Sequence, residues 1–327
     1  MAPPYDTNTT ADELVNDFAA EIKGKVVLTT GVTPGGLGAV FVETVAKAQP
    51  ALLILASRNV AKTQETADAI TSSHPNVAVR VLQLDLVSPD SVREAASKLN
   101  GWDDVPSIDV LVNNAAVMAT DYAVTPEGIE RQFATNHLGH FLFTNLIMGK
   151  ILKSASPRVV SVSSSGHRMS PIRWGDLNFD KDATYNGWQA YGQSKTANIL
   201  FAISLAEKLG PKGLLALSVH PGVIFTTGLG THLDFAKESQ DIVSIHKRLG
   251  NPEAWTQTEF ISAERGTATH VFAAFAPSLK DHNGAYLLDS RVADPFGDEV
   301  MAWATSKIEA ERLWKLSEKL VGQKFSF

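Results

Sequence analysis

The sequence predicts a doubly wound α/β fold, in which helices cover both faces of a mainly parallel sheet. Three observations support it: β-like runs alternate with helical patterns, several runs are apolar throughout, and a glycine-rich turn follows the first run. A strand that is buried on both faces needs apolar side chains on both. We therefore expect one domain around a seven-stranded sheet. The runs are Lys25–Thr30, Leu52–Ala56, Val77–Leu84, Asp109–Val112, Arg158–Val162, Leu214–Val219 and Gly284–Leu288.

Composition indicates a soluble globular protein and restricts its chemistry. Of 327 residues, 44% are hydrophobic and 20% are charged, so the chain can bury a sizeable core. The net charge of −6 gives no attraction for phosphate backbones, and we expect no nucleic-acid partner. The absence of cysteine excludes disulfides, thiolate metal sites and a cysteine nucleophile, and the nine histidines lack metal-ligand spacing. No apolar run approaches the ~18 residues of a membrane span, so we expect no span and a cytoplasmic location.

Residues 1–24 are predicted to form an N-terminal helical extension, ahead of a domain that spans residues 25–327. Thr10 and Glu13 have the spacing of a capping box, which satisfies the first backbone N–H groups of a helix. Apolar residues at helical spacing follow, which predicts a short amphipathic helix. These apolar positions are Leu14, Phe18 and Ile22.

Two later segments bear on a predicted active site. A long helical pattern runs from about Glu127 to Lys153. Residues 228–264 are less periodic and mix charges with Leu, Ile and Trp, which is typical of a mobile cap. We expect this second segment to be a substrate lid within the domain.

A glycine-rich turn joins the first predicted strand to a helical pattern. The turn reads Thr30-Gly31-Val32-Thr33-Pro34-Gly35-Gly36-Leu37-Gly38. Glycine permits a tight turn and lets backbone N–H groups approach a pyrophosphate at the N-terminus of the next helix. The turn therefore predicts a dinucleotide site that includes Gly31, Gly35, Gly36, Leu37 and Gly38. The alternative is an ordinary turn.

Basic residues follow the second predicted strand, where a fold selective for NAD usually carries an acidic residue for the ribose 2′-hydroxyl. Ser57 and Arg58 end this strand, and Lys62 lies one turn into the next helix. A guanidinium suits a 2′-phosphate instead, so NADP(H) is the predicted cofactor. The alternative is a solvated surface arginine.

Further polar and small residues end the third and fourth predicted strands. Asp85 and Leu86 follow the third strand, and Asn114 and Ala115 follow the fourth. Ligands of open α/β sheets bind outside the carboxyl ends of the strands, so these residues are predicted to contact the cofactor. Either pair could instead be a simple turn.

Tyr191 and Lys195 lie four residues apart at the start of a strongly helical stretch, so they share one helix face. An isolated phenol titrates near ~10, and a close cation favours the phenolate and helps proton transfer near neutral pH. This pair is the predicted acid/base.

Two more polar residues complete the predicted catalytic group. Ser164 ends the fifth predicted strand, where its hydroxyl could hydrogen-bond a substrate oxygen as charge develops, and Ser163 and Ser165 are alternatives. Asn136, in the long helical pattern, could hold a water that relays protons toward Lys195.

Taken together, these motifs resemble the short-chain dehydrogenase/reductase family, in the family's own order. The resemblance covers about Lys25 to Leu288 and adds Pro221-Gly222-Val223-Ile224-Phe225-Thr226 after the sixth predicted strand. Asn136-His137-Leu138-Gly139-His140-Phe141 is most similar to the retinol-dehydrogenase and WW-domain-oxidoreductase branch. The resemblance implies a single Rossmann-type domain and a homodimer or homotetramer.

The family implies a role for each matching residue. Ser164 would orient the substrate oxygen, and Tyr191 would exchange its proton. Lys195 would bind the nicotinamide ribose and lower the tyrosine pKa, while Asn136 completes the relay. The segment after the sixth strand would hold the nicotinamide carboxamide through Ile224 and Thr226, with Pro221 and Gly222 also at the cofactor.

The sequence departs from the family pattern in two places. The glycine loop is one residue longer than the common spacing, so either Gly35 or Gly36 can take the middle role. Residues 166–190 form a longer segment between Ser164 and Tyr191 than compact members have, and this insertion is interpreted as shaping the substrate pocket. Its aromatic residues could equally be core.

The predicted reaction is hydride transfer between NADPH and a ketone or aldehyde, in the direction of reduction, on an apolar small molecule. Reduction is preferred because cells usually keep this cofactor reduced. Two alternatives are a cofactor-binding sensor or partner protein without turnover, and a non-redox cyclisation or isomerisation. The residues expected to line the pocket are Trp174, Phe225, Leu229 and Leu233.

Overall fold

The computed structural model describes residues 5–179, 183–224, 226–251, 259–298 and 300–327. Within them, the chain forms one eight-stranded sheet. Its strands are β1 (Val26–Thr30), β2 (Leu52–Ser57), β3 (Ala78–Gln83), β4 (Val110–Asn113), β5 (Arg158–Val162), β6 (Leu215–Val219), β7 (Tyr286–Leu288) and β8 (Arg291–Val292). They are paired in the order β3-β2-β1-β4-β5-β6-β7-β8. All pairs are parallel except β7 with β8, so the predicted doubly wound Rossmann-type fold is confirmed.

The sheet has eight strands and not the seven that were predicted. The extra strand returns antiparallel to β7 through Asp289 and Ser290, whose φ angles are 50° and 55°. Two consecutive positive φ angles are the mark of the two-residue turn that hairpins prefer. This turn usually contains glycine, and an Asp-Ser pair gives no such signal in a sequence.

Helices cover both faces of the sheet. They are α1 (Ala11–Asp17), α2 (Ala19–Ile22), α3 (Leu37–Ala46), α4 (Val60–Ser73), α5 (Pro89–Asn100), α6 (Arg131–Phe133), α7 (Gly139–Leu146), α8 (Met148–Ile151), α9 (Gly187–Leu209), α10 (Phe235–Arg248), α11 (Ala263–Phe275), α12 (Ala302–Thr305) and α13 (Lys307–Val321). Neighbouring strand residues point to opposite faces, so Val27 packs among α1, α3, α4 and α11, while Leu28 packs among α5, α7 and α9. The central strands are therefore apolar on both sides.

The N-terminal helix begins as its capping box predicts. The Thr10 side chain accepts a hydrogen bond from the Glu13 N–H, and the Glu13 carboxylate accepts one from the Thr10 N–H. Leu14 and Ile22 are fully buried in the same cluster as Val27. The helix therefore packs onto the core of the sheet domain.

The predicted helix from Glu127 to Lys153 is divided into several pieces. It begins at Arg131, because the Glu130 carboxylate accepts hydrogen bonds from the second and third N–H groups of α6. A π-helical segment, Ala134–Leu138, links α6 to α7, and α8 follows after Ile147. The segment between residues 228 and 251 holds a 3-10 turn and α10, whereas residues 252–258 of the predicted lid lie outside the described part. None of the described helices combines the length and the hydropathy that crossing a membrane requires.

Candidate active site

The catalytic candidates meet where β5 ends and α9 begins. The Ser164 hydroxyl lies beside the Tyr191 ring, since both are within 3.3 Å of the point where a Cβ atom on Gly166 would stand. The Nζ atom of Lys195 lies 5.5 Å from the centroid of the Tyr191 ring. Gly166 makes this packing possible, because a Cβ atom there would lie 2.8 Å from Cε1 of Tyr191. The fold therefore brings together the three side chains that the sequence singled out.

The structure separates Ser164 from its two neighbours. Ser163 donates its hydroxyl to the carbonyl of Lys195 at 2.8 Å, and so braces α9. The backbone N–H of Ser165 donates to Nδ1 of His220 at 3.2 Å. Of these three serines, Ser164 is the one whose hydroxyl faces Tyr191.

Burial sets the pKa values of the catalytic pair in opposite directions. It raises the pKa of Tyr191 to about 12, and the nearby Ser164 hydroxyl only partly opposes the rise. It lowers the pKa of Lys195 to about 7, because the ammonium has left water. Burial is the larger cause for Tyr191, and the lowering of its pKa by Lys195 stays a prediction. Near neutral pH, Tyr191 is a protonated donor.

Asn136 lies in the π-helical segment, where an extra residue in the turn is frequent at functional sites. Its Oδ1 accepts from the N–H of Val117 at 2.8 Å, and its Nδ2 donates to the carbonyl of Val117 at 2.8 Å and to Ser194 at 2.9 Å. Both side-chain N–H groups are thus used within the protein. Asn136 clamps the segment after β4 to α9. Because its side-chain N–H groups are both used, a relay water could bind Asn136 only by donating a hydrogen bond to one of its oxygen atoms.

His140 belongs to this region although no role for it was predicted. Burial lowers its pKa to about 4, so the ring is neutral. Nδ1 lies 3.0 Å from the carbonyl oxygen of Asn136, which can only accept, so Nδ1 carries the proton. Nε2 then accepts from the Thr30 hydroxyl at 2.9 Å. In the sequence, the signal that could have pointed to His140 was its position four residues after Asn136, which is one helical turn.

The glycine turn fits a dinucleotide. Gly31 has a φ of 73°, and a Cβ atom there would lie 2.7 Å from Cα of Ala115. A Cβ atom at Gly38 would lie 2.5 Å from the carbonyl oxygen of Gly31. Gly36 is the N-cap of α3 and no side chain bonds the first N–H groups of that helix, so they remain available to an anion.

Gly35 and Gly36 do different things within this turn. Gly35 has a φ of 77°, a backbone conformation that favours glycine. A Cβ atom added there would meet nothing within 4 Å, so the surrounding space would accept a side chain. Gly36 has an extended backbone and precedes Leu37, the first residue of α3. Both therefore keep a part in the predicted phosphate site.

The β4 turn is tied directly to the glycine turn. The Nδ2 of Asn114 donates to the carbonyl of Thr30 at 2.8 Å and to that of Gly31 at 3.1 Å. The backbone N–H groups of Asn114 and Ala115 both donate to the Thr30 hydroxyl at 3.0 Å. These bonds join the ends of β1 and β4 into one rigid floor for a ligand.

The residues after β2 and β3 lie on the same side of the sheet. Arg58 and Lys62 are exposed, so a ligand can reach them. The Ser57 hydroxyl is taken up by Thr63 and by the carbonyl of Asn59. After β3, Asp85 accepts a hydrogen bond from the N–H of Val87.

Leu86, the other residue predicted after β3, makes a close contact with α7. It packs so tightly against Gly139 that a Cβ atom at Gly139 would meet the carbonyl oxygen of Leu86 at 2.3 Å. A glycine at the first position of α7 thus sets the distance between this helix and the end of β3.

The segment after β6 is held against α11. Gly222 has a φ of 83°, and a Cβ atom at Gly266 of α11 would lie 2.6 Å from the carbonyl oxygen of Pro221. The side chain of Ile224 also packs on Gly266, whereas Thr226 is exposed. Phe225, which was expected to line the pocket, lies outside the described residues.

The predicted pocket residues do not all reach the site. Leu233 packs near Tyr191, in a cluster with residues of α10. Trp174 does not belong there: its indole donates to Glu309 of α13, and the guanidinium of Arg312 lies 4.0 Å from its ring centroid. The insertion turns this tryptophan toward the C-terminal helices, which corrects the expectation that it lines the pocket.

Comparison with known proteins agrees with this architecture. A family model described as short chain dehydrogenase matches residues 25–176. Retinol dehydrogenase 12 of Mus musculus is 34% identical over 302 residues, covering 92% of this chain and 88% of that protein. Retinol dehydrogenase 13 of Homo sapiens is 34% identical over 303 residues, covering 93% and 86%. A crystal structure of an uncharacterized protein from Mycobacterium paratuberculosis has 30% identity and a TM-score of 0.68, covering 94% and 98%. The chain therefore belongs to the short-chain dehydrogenase/reductase family, in a branch similar to the retinol dehydrogenases.

Proposed function

We propose that this chain is an NADP(H)-dependent reductase that converts an apolar ketone or aldehyde into an alcohol. The observation that carries the proposal is the grouping of three side chains: the Ser164 hydroxyl lies beside the Tyr191 ring, and Nζ of Lys195 is 5.5 Å from the ring centroid. The glycine turn, which a dinucleotide fits, follows β1 at the same edge of the sheet at which Ser164 follows β5. Oxidoreductase chemistry is common to the family, and the direction, cofactor and substrate class are the parts proposed for this chain.

The residues divide the proton chemistry between them. A substrate oxygen that enters between Ser164 and Tyr191 receives two hydroxyl donors, which stabilise negative charge as it develops. Because the pKa of Tyr191 is raised to about 12, the phenol holds its proton until an alkoxide forms and then releases it to that oxygen. Bound NADPH supplies the hydride to the carbonyl carbon. Lys195, with its pKa lowered to about 7, can return a proton toward Tyr191 near neutral pH.

Two exposed basic residues support the choice of NADP(H). Arg58 follows β2 directly, and Lys62 lies in the first turn of α4. In this fold, the residues at the end of the second strand are the ones that contact the adenosine ribose of a bound dinucleotide. Paired cations at this point would stabilise a 2′-phosphate. The cytoplasmic location and the homodimer or homotetramer stay predictions.

The two alternatives are less well supported by the geometry. A sensor without turnover does not need a buried donor beside a second hydroxyl, and Tyr191 with Ser164 provides that pair. A non-redox cyclisation or isomerisation would leave the nicotinamide unchanged over the whole reaction. Both alternatives therefore predict no net consumption of NADPH.

The test is the absorbance of the reduced nicotinamide band during incubation with NADPH and a panel of ketones and aldehydes. We expect NADPH to be consumed, and Tyr191→Phe to bind NADPH normally while losing about 10²–10⁴-fold in turnover. The matched control is Tyr5→Phe, whose lost hydroxyl contacts Asp17 of the N-terminal helix, and which should keep full activity. A fully active Tyr191→Phe enzyme, or no NADPH consumption with any carbonyl, would contradict the proposal.

A further inference from the structure

An apolar cluster packs against the ring of Tyr191 and joins four separate parts of the chain. We call it the tyrosine cluster. Its buried members are Met169, Trp188, Tyr191, Ile242 and Ile245, with Met118, Ala119, Leu233 and Leu249 partly buried against them. Every member is aliphatic, aromatic or a thioether, and none is charged. A molecule whose oxygen reaches Tyr191 therefore meets an apolar wall on the side of this cluster.

Trp188 connects the catalytic tyrosine to α10. Its ring meets that of Tyr191 edge to face, with centroids 6.2 Å apart and planes at 87°. Its indole N–H donates to the Glu238 carboxylate at 2.6 Å. The side chain is only 6% exposed, so this hydrogen bond is largely sheltered from water. One residue thus touches both the acid/base and the helix that covers it.

One face of α10 carries both the hydrogen bond and the apolar wall. Ile242 lies four residues after Glu238 and Ile245 seven residues after it, so the three side chains share a helix face. Both isoleucines are 1% exposed. Just before α10, Nε2 of His232 donates to the carbonyl of Met118 at 3.0 Å. Hydrogen bonds therefore fasten this segment on two sides of the cluster.

Resting on the function proposed above, we propose that Trp188 is a specificity-determining residue that selects flat apolar carbonyl compounds, aromatic or conjugated, and that Glu238 holds α10 against it. An indole and two thioethers gain more from contact with a π-face than with a puckered saturated ring. The flat ring at residue 188 offers that contact, and α10 lies against the same cluster in a fixed position. The Glu238 hydrogen bond maintains that position, and the two isoleucines close the wall.

Selection is tested with two aldehydes of equal carbon number, benzaldehyde and cyclohexanecarbaldehyde. The readout is the ratio of their kcat/KM values, in which differences of intrinsic reactivity cancel between variants. Trp188→Phe keeps a flat ring and should keep the ratio within about twofold, whereas Trp188→Leu should lower it about threefold to tenfold, the range measured for single aromatic contacts. Trp188→Met serves the same purpose if the leucine variant does not fold.

The hydrogen bond is tested by hydrogen–deuterium exchange in the peptide that contains α10. Glu238→Ala and Trp188→Phe both remove the bond and should speed exchange about tenfold, a loss equal to one hydrogen bond to a charged group. Glu238→Gln keeps an acceptor oxygen and should restore most of the protection. The matched control is Glu309→Ala. It removes the carboxylate that accepts the hydrogen bond of a different indole, that of Trp174, and should leave the exchange rate of α10 unchanged.

The outcomes separate this inference from the proposed function. A wild-type protein that consumes no NADPH with any carbonyl contradicts the proposed function, and the exchange experiment still decides whether Glu238 holds α10. An active wild-type enzyme whose aldehyde ratio is the same in Trp188→Leu overturns the selection by Trp188. Exchange in Glu238→Ala that equals the wild-type rate overturns the role of Glu238.

Discussion

Replacing Lys195 with methionine should stabilise this protein while removing its activity. Burial lowers the pKa of Lys195 from 10.5 to about 7, a fall of about 3.5, and each pKa unit corresponds to about 1.4 kcal/mol. The protonated ammonium therefore costs the folded state about 5 kcal/mol below pH 7. A buried amine at this position therefore lowers stability, which an apolar side chain of similar length recovers.

The gain is smaller than the full cost, because the ammonium also makes a hydrogen bond. Nζ of Lys195 donates to the carbonyl of Val162 at 2.9 Å, worth about 1 kcal/mol net. That carbonyl keeps a second donor, Nδ2 of Asn198 at 3.0 Å, so Lys195→Met does not leave it without a partner. We expect a net increase of about 3–4 kcal/mol in the free energy of unfolding near pH 6.5.

The pH dependence provides the sharper test. Between pH 7 and 10.5 the unfolded chain binds more protons at Lys195 than the folded one, so wild-type stability rises with pH in this window. The advantage of Lys195→Met should thus shrink by about 3 kcal/mol between pH ~6.5 and ~9.5. Urea unfolding of both proteins at each pH measures it.

A control and a contrary outcome complete this test. Lys307 is 73% exposed beside Glu207, and Lys307→Met should change stability little at either pH. The reasoning about buried charge fails if Lys195→Met is less stable than wild type at both pH values, or if its advantage grows as the pH rises.

Three other substitutions test separate parts of the site. Arg58→Asp should weaken NADPH binding about tenfold to hundredfold and change NADH binding little, as measured by calorimetry. Equal losses of affinity for both cofactors would contradict a contact between Arg58 and the 2′-phosphate. Gly38→Ala should abolish tight dinucleotide binding and lower the free energy of unfolding by about 1–3 kcal/mol, since its Cβ atom would lie 2.5 Å from a carbonyl oxygen. Its control, Gly149→Ala, meets nothing within 4 Å and should be neutral or slightly stabilising; similar losses in both would mean that the close contact is not the cause. Asn136→Ala should lower the free energy of unfolding by about 1–3 kcal/mol and reduce turnover, because it removes two hydrogen bonds to the Val117 backbone. An unfolding free energy and a turnover rate equal to those of the wild type would show that these bonds do not hold the segment after β4.

The sequence was informative about strands and about residues at their ends. Buried parallel strands need long apolar runs, which are visible without any tertiary information. The meeting of Ser164 with Tyr191 was implied by the family resemblance, because one residue follows a strand and the other lies in a helix. The choice of Ser164 over Ser163 required the structure, because it depends on which serine side chain faces α9.

Other properties depend on packing that spacing cannot reveal. The raised pKa of Tyr191 comes from burial on all sides, whereas the spacing to Lys195 alone suggested a lowered pKa. The contact of Trp188 with Glu238 joins residues 50 positions apart, with no local pattern to announce it. The π-helical segment around Asn136 likewise interrupts a helical pattern that looked continuous.

The short antiparallel strand β8 affects how the protein behaves at high concentration. An unpaired strand edge is a template on which another chain can add a strand and begin aggregation. Here β8 covers the outer side of β7 and is itself only two residues long, with Arg291 engaged by Asp298. The opposite edge, β3, places Arg80 in an ion pair with Asp104. Both borders of the sheet thus carry a feature that discourages the addition of a strand from another chain.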